Sequence, residues 1–249
     1  MYVNVSGCKV YYEQAGSGKP LLLLHGWGVS CQAFRPLFMR LAEYRDVRAI
    51  DFPGFGLSAP PPSAWGTPEY AEMLEALIGL WGIKAPDILA HSFGARVALQ
   101  LAKKHPESAG SMVLTGAAGI RPKSNVPIWK QAVSRLGKTA GKFGPPGAWL
   151  KEKLYAKIAS ADYRNAGAMR PILVKVVNED MRPILPDIHH RILLLWGEKD
   201  MDTRLEAGRI MNAGLDNSAL VVMEGCGHYA FMDKPDEFYS HLKQFWALG

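Results

Sequence analysis

Ser92 stands in Leu89-Ala-His-Ser-Phe-Gly-Ala95, where an apolar run, Pro86–Ala90, gives way to a helix-forming stretch reaching Lys104. A serine on a sharp strand-to-helix turn has its hydroxyl pushed out above the edge of a sheet, where it can attack as a nucleophile. Such a turn is tight and accepts only small residues two positions to either side. Gly94 fits fully, and Ala90, where glycine is commoner, is the next smallest residue. A helix that begins at the serine also favours developing negative charge there. An ordinary helix-capping serine is the alternative reading.

Three further segments could complete that chemistry. Leu24-His25-Gly-Trp27-Gly28 follows an apolar run, and its glycines let backbone N–H groups approach an oxyanion closely. The donors expected are the N–H groups of Trp27 and Phe93. Gly225-Cys-Gly-His228 lies after a strand near the C-terminus, and its glycines can place His228 over the sheet edge as general base. Trp196-Gly-Glu-Lys-Asp200 also lies just past a strand. A carboxylate there would hold the imidazole tautomer and stabilise imidazolium. Asp202 and Glu198 are rivals for that role. Plain glycine turns and a structural histidine are the bland readings of these segments taken singly. Together they give the order Ser92, Asp200, His228, all at the carboxyl ends of strands, where open α/β sheets place their sites.

The elements that must hold these residues are legible from pattern. Val3–Val5 and Val10–Gln14 read as opening strands. Pro20–Leu24 is a continuous apolar run that suits a strand buried on both faces. Further strands are expected at Val47–Asp51, Pro86–Ala90, Ser111–Thr115, Arg191–Trp196 and Ala219–Met223. Helices are expected at Cys31–Ala42, Thr67–Trp81 and Ser92–Lys104, from about Thr203, and at Pro235–Ala247. Ser30 and Thr67 read as helix N-caps, and Thr203-x-x-Glu206 as a capping box. Strand and helix alternate, which means a mostly parallel central sheet with helices on both faces. Residues 119–187 break the alternation. Ile128, Trp129, Val133 and Leu136 have helical spacing, as do Leu150, Leu154, Tyr155 and Ile158. A third helical stretch near Asp162–Val177 contains Pro171, where a kink or break is expected. The chain thus divides into an α/β core, 1–118 and 188–249, and an inserted helical cap, 119–187.

Composition limits the function classes. The 249 residues suit one large α/β domain, with 48% hydrophobic and 21% charged residues. No apolar run approaches the ~20 residues needed to span a bilayer. The opening segment lacks a signal-peptide pattern. Cys8, Cys31 and Cys226 match neither a zinc spacing nor a disulfide framework, so free thiols and a cytoplasmic setting are expected. Residues 119–187 hold 13 Lys/Arg against 5 Asp/Glu, while the rest of the chain is nearly balanced. Nucleic-acid binding lacks any recognition motif to support it, and solvated helix faces explain the charge as well. No metal, nucleotide or flavin signature is present, so no cofactor is expected. Monomer and dimer are both left open.

Along nearly its whole length the chain resembles the α/β-hydrolase superfamily. Asp51-Phe-Pro-Gly-Phe-Gly-Leu-Ser58 looks like the glycine-rich loop after that family's fourth strand. His25-Gly-Trp-Gly28 is similar to the oxyanion loop of carboxylesterases, including those acting on pimeloyl esters. Ala90-x-Ser92-x-Gly94 resembles the elbow of small Bacillus lipases. The spacing of Asp200 after its strand matches the family, and the usual second glycine after the elbow is Ala95. The resemblance implies a serine hydrolase that cleaves carboxylic esters of small to medium apolar or aryl acyl groups. Trp27, Phe93, Arg121, Trp129 and Tyr229 are candidates for binding the substrate. A carbon–carbon bond hydrolase of ring-fission keto acids shares the Ser-Asp-His order and needs an arginine, for which Arg121, Arg164 and Arg170 are candidates. A cofactor-free lyase and a ligand-binding member that has lost activity are further alternatives. Serine at the elbow argues against the aspartate-dependent dehalogenases and epoxide hydrolases. The proline iminopeptidase loop His-Gly-Gly-Pro-Gly is absent.

Overall fold

A computed structural model describes residues 1–120 and 166–248. The described residues form an eight-stranded sheet in the order β1-β2-β4-β3-β5-β6-β7-β8. The strands are β1 Tyr2–Val5, β2 Cys8–Ala15, β3 Pro20–Leu24, β4 Asp46–Ile50, β5 Asp87–His91, β6 Met112–Thr115, β7 Ile192–Gly197 and β8 Ser218–Met223. β1 and β2 pair antiparallel, as do β2 and β4, and every other pairing is parallel. The helices are α1 Arg35–Ala42, α2 Thr67–Leu80, α3 Phe93–Lys104, α4 Arg170–Asn178, α5 Leu205–Gly214, α6 Ala230–Asp233 and α7 Pro235–Trp246.

The apolar strand runs explain the layering. All five residues of β5 are buried, and Leu21–Leu24 of β3 are fully so. Alternate residues of these strands enter two different cores. Leu22, Leu24, Ile88 and Ala90 pack with α2 and α3, while Leu21, Leu23 and Leu89 pack with α1 and α7. Helices therefore cover both faces, as a parallel sheet requires. The site-bearing loops leave β3, β5, β7 and β8 at their carboxyl ends.

Several local expectations are corrected. Thr67 is the first helical residue of α2 rather than its cap. Gly66 holds the cap position and gives its N–H to Glu69 at 2.7 Å, while the Thr67 N–H and hydroxyl both go to Glu179. Thr203 caps nothing: α5 begins two residues later, and the hydroxyl of Thr203 is taken by Asp200. Pro171 lies at a helix start rather than inside a kinked helix, and residues 162–165 of the expected stretch lie outside the described residues. Pro171 stands in the first turn of α4, where its missing N–H has no intrahelical partner to lose. The short α6 was not anticipated, because four residues carry no readable period. The expected cap helices around Trp129 and Leu150 lie outside the described residues. Cys8, Cys31 and Cys226 are all free and buried. No helix among the described residues is long and apolar enough to cross a membrane.

Candidate active site

Ser92 occupies the turn between β5 and α3 at φ 49°, ψ −105°. A non-glycine residue at positive φ is strained and persists only where its surroundings enforce it. Here its N–H donates to Thr115 O at 3.1 Å, and its carbonyl accepts the Ala118 N–H at 3.2 Å. Gly94 is obligatory, because a Cβ there would stand 2.3 Å from Leu24 O and 2.8 Å from His25 O. The backbone of α3 thus runs hard against the end of β3, which brings the loop after β3 beside the serine. Ala90 is fully buried, paired in register with Leu24 and Leu114.

That loop is braced by His25. Its Nε2 accepts the Phe52 N–H at 2.9 Å, so Nδ1 carries the proton and donates to Gly26 O at 2.6 Å. Burial, the largest influence, pushes His25 down to about 4 against the opposing pull of the Gly26 carbonyl and Asp51. Asp51 fastens the neighbouring turn. Its carboxylate accepts the Cys31 N–H at 2.7 Å and the Leu57 N–H at 2.8 Å. The Phe93 N–H is the first of α3 and has no intrahelical acceptor. The Phe93 ring is almost wholly buried and packs edge-on with Phe52, Tyr70 and Trp27.

His228 and Asp200 come together on the other side. His228 Nδ1 lies 2.8 Å from Asp200 Oδ2. Asp200 Oδ1 accepts the N–H groups of Asp202 at 2.9 Å and Thr203 at 2.8 Å, and Oδ2 accepts the Thr203 hydroxyl at 2.8 Å. Burial pushes the Asp200 carboxyl up. The hydrogen bond and charge of His228 and the two bonds from Thr203 outweigh it and hold the group below its ordinary value. Thr203 is itself anchored by Trp196, whose Nε1–H donates to its carbonyl at 2.6 Å. Asp202 is exposed, and Glu198 instead accepts the Gly225 N–H at 3.0 Å. Asp200, Asp202 and His228 offer ligand atoms within 4.8 Å of one another. However, four donors already satisfy the Asp200 oxygens, which leaves them little capacity for a cation.

Ser92 and His228 line one cavity of about 470 Å³. Trp27, Phe93 and Tyr229 also line it, as do Leu173, Val176 and Val177 of α4. Arg121, Trp129 and Arg164 lie outside the described residues, and Arg170, the first residue of α4, is not among the residues lining the cavity. Sequence reasoning missed Thr203, His91, Gly116 and Arg96. Thr203 was misassigned to a helix cap, and His91 was passed over as the variable position beside the serine. Gly116, at φ 50°, gave no signal beyond a glycine after a strand. Arg96 lies one turn into α3, lines the cavity and donates to Glu179 O at 3.0 Å. Its spacing of four from Ser92 could have found it.

Comparison with known proteins agrees with this architecture. A pimeloyl-(acyl-carrier protein) methyl ester esterase of Neisseria meningitidis serogroup B is 31% identical over 245 residues, covering 91% of this chain and 92% of that protein. A 2-hydroxy-6-oxo-6-phenylhexa-2,4-dienoate hydrolase of Comamonas testosteroni is 26% identical over 258 residues, covering 94% and 90%. The crystal structure of a membrane phospholipase A superposes with a TM-score of 0.79 at 26% identity, over 99% of this chain and 85% of that one. The sequence pattern of the alpha/beta hydrolase family matches residues 21–241, and the chain belongs to that family.

Proposed function

We propose that this chain hydrolyses carboxylic esters of small to medium apolar or aryl acyl groups through an acyl-enzyme on Ser92. The observation that carries the reading is the 2.8 Å contact between His228 Nδ1 and the buried Asp200 carboxylate, at the wall of the cavity that Ser92 shares. With Nδ1–H held by Asp200, Nε2 is the basic nitrogen. It takes the Ser92 proton as Oγ attacks the ester carbonyl, and the N–H groups of Trp27 and Phe93 receive the oxyanion. The alcohol leaves with the proton from His228. Water then loses a proton to His228 and attacks the acyl-enzyme, and Ser92 Oγ departs with that proton, which releases the acid and restores neutral His228.

The acyl preference rests on the apolar wall formed by Trp27, Leu173, Val176 and Val177. Three of these belong to α4, which fits the assignment of 119–187 as a cap over the core. The two ends of that insertion are joined, since the Met181 N–H donates to Gly119 O at 2.9 Å. A second reading, cleavage of carbon–carbon bonds in carboxylate-bearing keto acids, draws on the guanidinium of Arg96 in the cavity wall.

Labelling with a fluorophosphonate, together with turnover of p-nitrophenyl esters of rising chain length, tests the proposal. Ser92→Ala is expected to abolish labelling and lower kcat by roughly 10⁴-fold or more. Near-full esterase activity in that variant would remove Ser92 from its role. Labelling without turnover of any ester or keto acid would leave a binding protein. Turnover of keto acids far above esters would favour the second reading.

A further inference from the structure

His91 is fully buried beside the nucleophile, and the hydrolytic steps make no use of it. It closes β5 immediately before Ser92, and its ring lies between two other parts of the site. On one side Nε2 is 3.1 Å from the carbonyl oxygen of His228. The rings of His91 and His228 are tilted with centroids 4.6 Å apart, and Tyr229 and Phe231 pack on the same imidazole at 4.7 and 5.2 Å. On the other side is Gly26, where a Cβ would stand 2.7 Å from His91 Nδ1 and 3.4 Å from Ser92 Cβ. The oxyanion loop therefore lies flat on the edge of the His91 ring, and Gly26 is glycine because that ring occupies the space.

We infer that His91 is a positioning residue that sets the spacing between the loop carrying His228 and the oxyanion loop carrying Trp27, with Ser92 held between them. The inference rests on the Ser92–His228 reading of the site. A carbonyl oxygen can only accept, so the His91 ring must carry its proton on Nε2 and donate it to His228 O. Nδ1 is then a bare acceptor. It is buried and has no hydrogen-bond partner among the described residues. A buried unpaired acceptor is costly, so packing alone gives no reason for a histidine here. A ring is needed to fill the space against Gly26, and a donor is needed at one particular edge to hold the His228 backbone. Burial, and next the charge that His228 acquires, push His91 down to about 3. It stays neutral while His228 cycles, so the tether survives each protonation of the base.

The test compares His91→Leu, which removes the donor, with His91→Gln, whose side-chain amide can reach the same carbonyl. Fluorophosphonate labelling rates and steady-state ester kinetics are measured on the full chain. In His91→Leu, labelling and kcat are expected to fall about 100-fold, the scale of a displacement of about 1 Å in a catalytic group. KM should stay within about threefold, and His91→Gln should recover at least a tenth of the lost rate. A folded His91→Leu that labels as fast as wild type, or a His91→Gln no better than His91→Leu, would overturn the inference. Long-range nitrogen–proton NMR of the wild-type imidazoles gives a second reading independent of any variant. It should show His91 neutral with the proton on Nε2 at pH 5–8. A proton on Nδ1 would overturn the tether. Failure of the wild type itself to label would overturn the site reading and this inference with it, whereas a wild type that labels beside a His91→Leu that labels equally fast overturns the inference alone.

Discussion

Gly116 lies directly against the imidazole of His228. A Cβ on residue 116 would stand 3.0 Å from Nδ1 and 3.1 Å from both Cε1 and the backbone carbonyl oxygen. Residue 116 also sits at φ 50°, where a side chain is disfavoured by roughly 1–2 kcal/mol. Gly116→Ala is therefore expected to push the ring away from Asp200 by a few tenths of an ångström. The expected result is a kcat lowered about tenfold or more with a melting temperature lowered by only a few degrees. Unchanged kcat would mean that the His228 loop yields freely.

Asp200 and Asp202 are separated by one residue in the chain but stand in different environments. Asp200 is buried and accepts from four donors, whereas Asp202 is exposed. Asp200→Asn should lower kcat on the order of 10⁴-fold, because an amide can no longer fix the imidazole tautomer. Asp202→Asn should stay within about threefold. The reverse ranking would move the acid to Asp202.

Thr203 gives both its N–H and its hydroxyl to Asp200. Thr203→Val keeps the shape and the N–H bond but removes the hydroxyl. One of the interactions that hold the Asp200 carboxyl low is then lost. A milder loss of kcat is expected than in Asp200→Asn, about 10- to 100-fold, since a hydrogen bond to a charged group contributes about 1.5–3 kcal/mol. Equal losses in the two variants would mean that Thr203 does more than support the carboxylate.

Two buried histidines should make stability depend on pH. Burial pushes His25 to about 4 and His91 to about 3, both from an ordinary 6.5. The groups facing His91 are His228, Asp200 and His25, and Asp51 faces His25. Between pH 6.5 and 4 the unfolded chain binds a proton on each imidazole while the folded chain does not. Stability therefore falls on acidification through this window, with a slope of up to about 1.4 kcal/mol per pH unit for each histidine. Urea midpoints from pH 7 to 4.5 check this, and His91→Gln should flatten the slope. The depressed Asp200 carboxyl adds a separate loss only as pH falls below its ordinary 3.8. An identical slope in His91→Gln would show that His91 does not titrate between the two states.

The sheet was legible because its strands are apolar runs set between glycine and proline breaks. Pro20–Leu24 suits a strand buried on both faces, and β3 spans those residues. Capping was less legible, because a short polar side chain near a helix start has several possible partners. Thr67 reaches Glu179, and Thr203 reaches Asp200. Both partners are remote or lie before the helix, and no local spacing encodes them. The elbow and its neighbours were readable as motifs, since tight turns demand small residues in order. His91 and Gly116 were not, because their roles exist only once β5, β6 and the loop after β8 stand side by side.

The strand that precedes His228 is one of the two edge strands of the sheet. Among the described residues β8 pairs with β7 alone, and most of its residues are half-buried or exposed. Ser92, the proposed nucleophile, instead hangs from β5, which is flanked by β3 and β6 and wholly buried. Margins of a sheet open at a lower free-energy cost than its centre. Fraying of that margin would carry His228, the proposed base, out of reach while Ser92 and most of the hydrophobic interior stayed in place. Inactivation by mild denaturant should therefore run ahead of unfolding, leaving a compact, silent and readily reversible form of the chain.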